Sequence, residues 1–88
     1  MTNIYRIWEI SSYGKKELAF TTNPGDYIWA QVKDAQKIGA HDSTTDRWVY
    51  ANNYEKIIEL AERGYCIGEM VKYWMPTGYQ AEKIVVES

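Results

Sequence analysis

The densest group of chemically capable side chains in the chain is His41, Asp42, Ser43, Thr44 and Asp46. A metal centre needs three or four converging ligands, and this stretch offers one imidazole and two carboxylates. A Ser-His-Asp triad is assembled from separate elements of a fold, so near neighbours in one loop do not form it. Asp, Ser and Thr at this density supply turns instead, because their short polar side chains bond to nearby backbone. The sequence implies no metal and no cofactor.

Cys66 and His41 are the only cysteine and the only histidine, and hence the only thiol–imidazole pair available. A nucleophilic cysteine needs an electropositive, partly exposed setting with a base in reach. Cys66 lies between Tyr65 and Ile67, near the start of a predicted strand. A cysteine there behaves as a small buried hydrophobe. Arg63-Gly64-Tyr65 opens like the RNA-recognition strand motif, but Cys66, Ile67 and Gly68 do not continue it. A non-enzymatic protein is expected.

The aromatic residues are the larger resource: four Trp, eight Tyr and one Phe. A chain of 88 residues buries only a small core, so rings are expected to supply much of its buried area. Tyr5, Trp8, Trp48, Tyr50, Tyr73, Trp74 and Tyr79 fall on predicted strands or their ends. These are more rings than two helical stripes and one sheet face require. Tyr and Trp left on a surface dominate binding hot spots. Tyr5, Trp8, Trp48, Tyr73 and Trp74 are therefore candidate contacts for a protein partner. Glu55, Glu59 and Glu62 form a second candidate surface, an acidic helix face that could occupy a basic groove. The simpler reading of these three is a solvated face.

The alternative is a nucleic-acid-binding module. Tyr5, Trp8, Tyr73 and Trp74 would stack on bases, with Lys15, Lys16 and Arg47 on phosphates. Ten basic against twelve acidic residues give a net charge of −2, which is no basic footprint. A protein partner is preferred. In size and in its lack of catalytic motifs the chain resembles accessory proteins with which phages and mobile elements inhibit host proteins, anti-CRISPR inhibitors among them. That likeness implies an inhibitor working by protein–protein contact. Self-association through a strand edge is also open.

One cysteine leaves no intramolecular disulfide, and no apolar run is long enough to span a bilayer. The start MTNIYRIWEI lacks the basic and apolar regions of a signal peptide. The expectation is a cytoplasmic protein with no membrane partner.

A length of 88 residues suits a single domain. Asn3 to Ile10 alternates as a strand, Ser11 to Lys15 turns, and Lys16 to Thr21 returns. Asn23-Pro24-Gly25-Asp26 starts a helix with stripe Ile28, Val32, Ala35 and Ile38, ending at Gly39. Ala40 to Asp46 reads as a polar loop and Arg47 to Tyr50 as a short strand or an extra turn. Asn52 caps a second helix with Glu55 as its capping-box partner. Its stripe is Tyr54, Ile57, Ile58 and Ala61, and Gly64 ends it. Tyr65 to Trp74 and Tyr79 to Val86 form a hairpin about the turn Met75-Pro76-Thr77-Gly78. The expected fold is α+β, in the order β-β-α-(β)-α-β-β. An antiparallel sheet of four to five strands carries two helices on one face.

Overall fold

Local pattern and tertiary packing agree first in the N-terminal hairpin. The computed structural model describes residues 3–84, in which β1 (Ile4–Ser11) pairs antiparallel with β2 (Gly14–Thr21). Gly14, at φ 115°, closes the turn between them. A register shift at Ile7 and Trp8 marks a bulge on this pair.

The chain then enters α1 (Pro24–Val32), with Pro24 in the first turn and Asp26 near the positive end of the helix dipole. Asn23 holds the cap position without a side-chain cap bond. The helix stops at Val32, well before Gly39, because the next apolar residues are claimed by the sheet. Ile38 and Gly39 begin β3 (Ile38–Asp42). The expected polar loop is thereby shortened, and its first three residues are strand. β3 pairs with β4 (Arg47–Tyr50).

α2 (Tyr54–Glu62) is capped by Asn53, whose Oδ1 accepts from the Lys56 N–H at 2.9 Å. Asn52, expected as the cap, instead accepts from the Ile38 N–H at 3.1 Å and ties the helix entrance to β3. The shift moves Glu55 off the capping-box position. Ile57, Leu60 and Ala61 are the buried residues, whereas Tyr54 is partly exposed. Each such fully buried Leu or Ile contributes about 1.5–3 kcal/mol relative to an exposed one. Gly64 ends the helix at φ 86°, as its position predicts.

The last hairpin keeps its expected partners but moves its turn. β5 (Cys66–Glu69) is shorter than the Tyr65–Trp74 run, and Val71 and Trp74 close a tight turn by mutual backbone hydrogen bonds of 2.8 and 3.2 Å. β6 (Thr77–Ile84) already includes Thr77 and Gly78. Val85 and Val86 lie outside the described residues.

The result is an α+β fold with a six-stranded antiparallel sheet in the order β2-β1-β6-β5-β3-β4. The sixth strand is β3, in a segment whose Gly and Ala carry little strand propensity. Tyr5 and Ile7 of β1, Ala81 of β6, Ile67 of β5 and Ala40 of β3 face the helices and join their apolar stripes in one core. The core is aliphatic. Tyr5 and Tyr65 are the only buried rings among the described residues, and none of the four Trp is buried. Rings were expected to fill it, but Ile and Leu pack the sheet–helix gap and leave the large aromatics outside. No helix among the described residues is long and apolar enough to cross a membrane.

Candidate functional site

Strand alternation sends every second side chain to the sheet face that carries no helix. On β3, β5 and β6 that face is built from glycine: Gly39, Gly68 and Gly78 alternate with inward-facing Ala40, Ile67 and Tyr79. Met70 and Met75, from the chain between β5 and β6, lie directly on these glycines. A Cβ on Gly39 would stand 2.6 Å from Met70 Cγ, closer than real side chains approach. The bare backbone is what lets the methionine settle against the sheet.

Beside Met70 the open face holds a cavity of about 230 Å³. Gly39 is its floor, Trp48 and Tyr50 of β4 form one wall, and Met70, Lys72 and Tyr73 form the other. Lys37 completes the rim, with its Nζ 5.1 Å from the centre of the Tyr50 ring. Trp48, Tyr50 and Tyr73 are 49%, 63% and 94% exposed. Two separate stretches of chain thus deliver three accessible rings to one concavity.

The polar cluster of the β3–β4 turn braces this wall. Asp42 accepts from the Thr44 N–H at 3.0 Å, the Thr44 hydroxyl at 2.7 Å and the Thr45 hydroxyl at 3.0 Å. These bonds, the Thr44 hydroxyl foremost, hold the Asp42 carboxyl down at about 2. His41 Nε2 donates to Asp46 Oδ1 at 2.8 Å, and its ring sits 4.5 Å from the Trp48 ring. The turn chemistry expected of this stretch is therefore present, with the turn itself confined to residues 43–46 after three strand residues. No group of three or more His, Cys, Asp or Glu side chains able to hold a metal ion occurs among the described residues.

The remaining expected contacts are scattered. Tyr5 is 8% exposed and faces the helices, because it sits in phase with Ile7; it offers little to a partner. Trp8 lies on the open face at its far end, donating its indole N–H to Glu82 at 3.0 Å. Lys15 and Arg6 approach its ring at 4.7 and 5.6 Å, and Arg6 also lies 5.4 Å from Phe20. The Arg6 charge is met by Glu17 at 3.4 Å, without hydrogen-bond alignment at Nε, and by Glu82 at 3.7 Å. Trp74 is exposed at the Val71 bridge, outside the cavity. Glu55, Glu59 and Glu62 are exposed on α2, across the sheet from the aromatic cavity. Glu59 pairs with Lys56 at 3.8 Å and Arg63 at 3.4 Å, so the acidic patch is partly neutralised.

Cys66 is half-buried against Gly78 on the same face. Burial pushes its thiol up to about 11, with Lys15 opposing the shift. That is the opposite of what a nucleophile needs.

Gly39, Met70, Lys37 and Lys72 were not anticipated as site residues. Gly39 reads locally as a helix terminator, and only its pairing with Gly68 across β3 and β5 reveals a floor. Comparison with family models, curated proteins and solved structures found no match.

Proposed function

We propose that the chain is a small non-enzymatic binding module that recognises a protein through the open face of its sheet, centred on the cavity of Trp48, Tyr50 and Tyr73. The convergence of these rings over Gly39 carries the reading. A concavity of about 230 Å³ falls below the roughly 300–1,000 Å³ of small-molecule and cofactor sites. It matches a single anchoring side chain of a partner. Exposed Trp and Tyr around such a pocket are the usual composition of a hot spot. His41 stands opposite Cys66 across β3 and β5, but burial raises the thiol and the imidazole Nε2 is held by Asp46, which supports a binding role over catalysis.

Stacking on single-stranded nucleic acid is less well supported. On this face Arg6 is met by Glu17 and Glu82 and Lys15 lies over the Trp8 ring, which leaves Lys37 and Lys72 at one cavity rather than a basic groove tracking a phosphate backbone. The lone cysteine fits a reducing interior. By seating on an enzyme's surface, an 88-residue module would act as an inhibitor, of the kind phages and mobile elements carry.

The test is a tagged pull-down from host lysate, with and without nuclease, using the native chain, Trp48→Ala, Tyr73→Ala and, as control, Tyr13→Ala in the exposed β1–β2 turn. A stoichiometric protein that survives nuclease, is lost with Trp48 or Tyr73, and is kept with Tyr13→Ala is expected. Capture that disappears with nuclease, or that ignores both ring substitutions, sinks the reading.

A further inference from the structure

Building on that protein-binding reading, we propose that the partner supplies an extended acidic segment, which adds to the sheet as a strand along β4 and places one large apolar side chain in the Gly39 cavity. β4 is one of the two sheet edges. The Ala51 N–H donates to the Ile38 carbonyl at 3.0 Å, so alternation turns the Val49 backbone toward β3 and those of Trp48 and Tyr50 outward. The two residues that wall the cavity thus also present free edge donors and acceptors. A strand laid there, about 4.7–4.9 Å away, would carry every second side chain onto the open face beside Trp48 and Tyr50. The other edge, β2, begins with exposed Lys15 and Lys16, a usual guard against such pairing. β4 carries Trp48-Val49-Tyr50 in its place.

Charge selects the sign of the segment. Lys37 and Lys72 line the cavity, and no carboxylate does. Neither ammonium has a carboxylate partner among the described residues. Lys72 also holds φ 58° at the tip of the Val71–Trp74 turn, a conformation that favours glycine. Backbone strain of this kind collects at ligand clamps.

The probe is the heptapeptide Val-Glu-Val-Phe-Val-Glu-Val, whose two glutamates share the phenylalanine's face in a strand, titrated into isotope-labelled protein and followed by amide NMR and hydrogen exchange. Its controls replace every glutamate by lysine, or phenylalanine by alanine; an eight-residue oligothymidylate is run beside them. Expected are shifts at Gly39, Trp48, Tyr50 and Tyr73 and slowed exchange of the Trp48 and Tyr50 amides. Two exposed charge pairs at about two- to fivefold each should separate the glutamate from the lysine peptide by about tenfold. In the Lys37→Glu/Lys72→Glu protein, whose folding is checked by its melting temperature, the preference should reverse.

Equal binding of the lysine peptide, equal binding of the alanine peptide, or shifts without amide protection each overturn the inference. So does no peptide binding at millimolar concentration. If the pull-down partner still depends on Trp48, the protein-binding reading survives that failure. If only oligothymidylate binds, both fall.

Discussion

Substituting Gly39 by alanine tests the claim that Met70 rests on bare sheet. The new Cβ would lie 2.6 Å from Met70 Cγ and 2.7 Å from Sδ, so the methionine must move by about 1 Å to regain a normal carbon contact of roughly 3.5–4.0 Å. Overpacking costs about 1–3 kcal/mol, and a flexible, half-buried methionine puts this case near the lower end. Against it stands about 0.5–1 kcal/mol gained by replacing glycine within a strand. Gly39→Ala alone should therefore destabilise by about 0.5–1 kcal/mol. At about 4–8 °C per kcal/mol for a domain of this size, the melting temperature should fall by about 2–8 °C. Met70→Ala removes the colliding atoms, and in that background Gly39→Ala should be neutral or stabilising, a coupling of about 1 kcal/mol. Gly64→Ala is the internal control. Its cost comes from φ 86° with nothing near its Cβ, so it should be the same with or without Met70. Calorimetry of the single and double variants gives the cycle directly. An equal cost of Gly39→Ala in both backgrounds would refute the packing of Met70 on the sheet.

Lys72→Gly should relieve the positive φ and raise stability by about 1 kcal/mol while weakening partner capture; a variant that gains neither stability nor loses binding contradicts the strain argument. The lowered Asp42 carboxyl contributes stability that is present above its ordinary value of 3.8 and lost as pH falls through about 2. Asp42→Asn should erase that acid dependence in the amide exchange of the β3–β4 turn, and an unchanged profile would count against the turn bonds. The Tyr54 hydroxyl donates to Asp26 and joins α2 to α1, with the phenol held above its ordinary value of 10.0 by that bond first. Its contribution is present below pH 10 and fades as pH rises through the raised value, so Tyr54→Phe should lower the melting temperature at neutral pH and have no effect in strong alkali. Cys66 should alkylate about a hundredfold more slowly than an exposed thiol at pH 8, since about 11 against 9.0 removes that much thiolate. Labelling at the rate of a free thiol would contradict its burial.

The elements that were legible in the sequence are those whose local signals do not compete. Pro24, Asp26, Gly64 and the Glu59–Arg63 pair act within a few residues of themselves, and each stands where its spacing puts it. β3 was illegible because Ile38 fits a helical stripe as well as a strand and Gly39 fits a helix end. What decides is tertiary: Ala40 pairs with Ile67, and Asn52 bonds back to Ile38. The final turn moved from Pro76 to Lys72 for a similar reason. Met75 packs on Gly68 and Gly78, so Thr77 can already be in the sheet. Of the expected contacts, Trp48 and Tyr73 meet at the cavity, while Tyr5 is drawn into the core by its phase with Ile7. Phase along β1 was readable, but which phase faced the helices was not.

The distribution of rings ties fold to proposed function. A sheet with one face on helices needs apolar side chains only on that face, and Ile7, Ile28, Ile57, Leu60 and Ile67 fill it without a tryptophan. The open face could then be polar throughout, at no loss to the core. It carries instead Trp8 and Phe20 at one end and Trp48, Tyr50 and Tyr73 at the other, with methionines on glycines between them. At the Trp8 end the rings are satisfied internally, by Arg6, Lys15 and Glu82. At the Tyr73 end they surround a void beside a strand at the edge of the sheet, with two ammonium groups that meet no carboxylate among the described residues. Exposed apolar surface of that kind lowers solubility and adds nothing to folding. The proposed contact with a protein partner would make the whole arrangement favourable, because it would remove the rings from water, complete the edge and neutralise the lysines together.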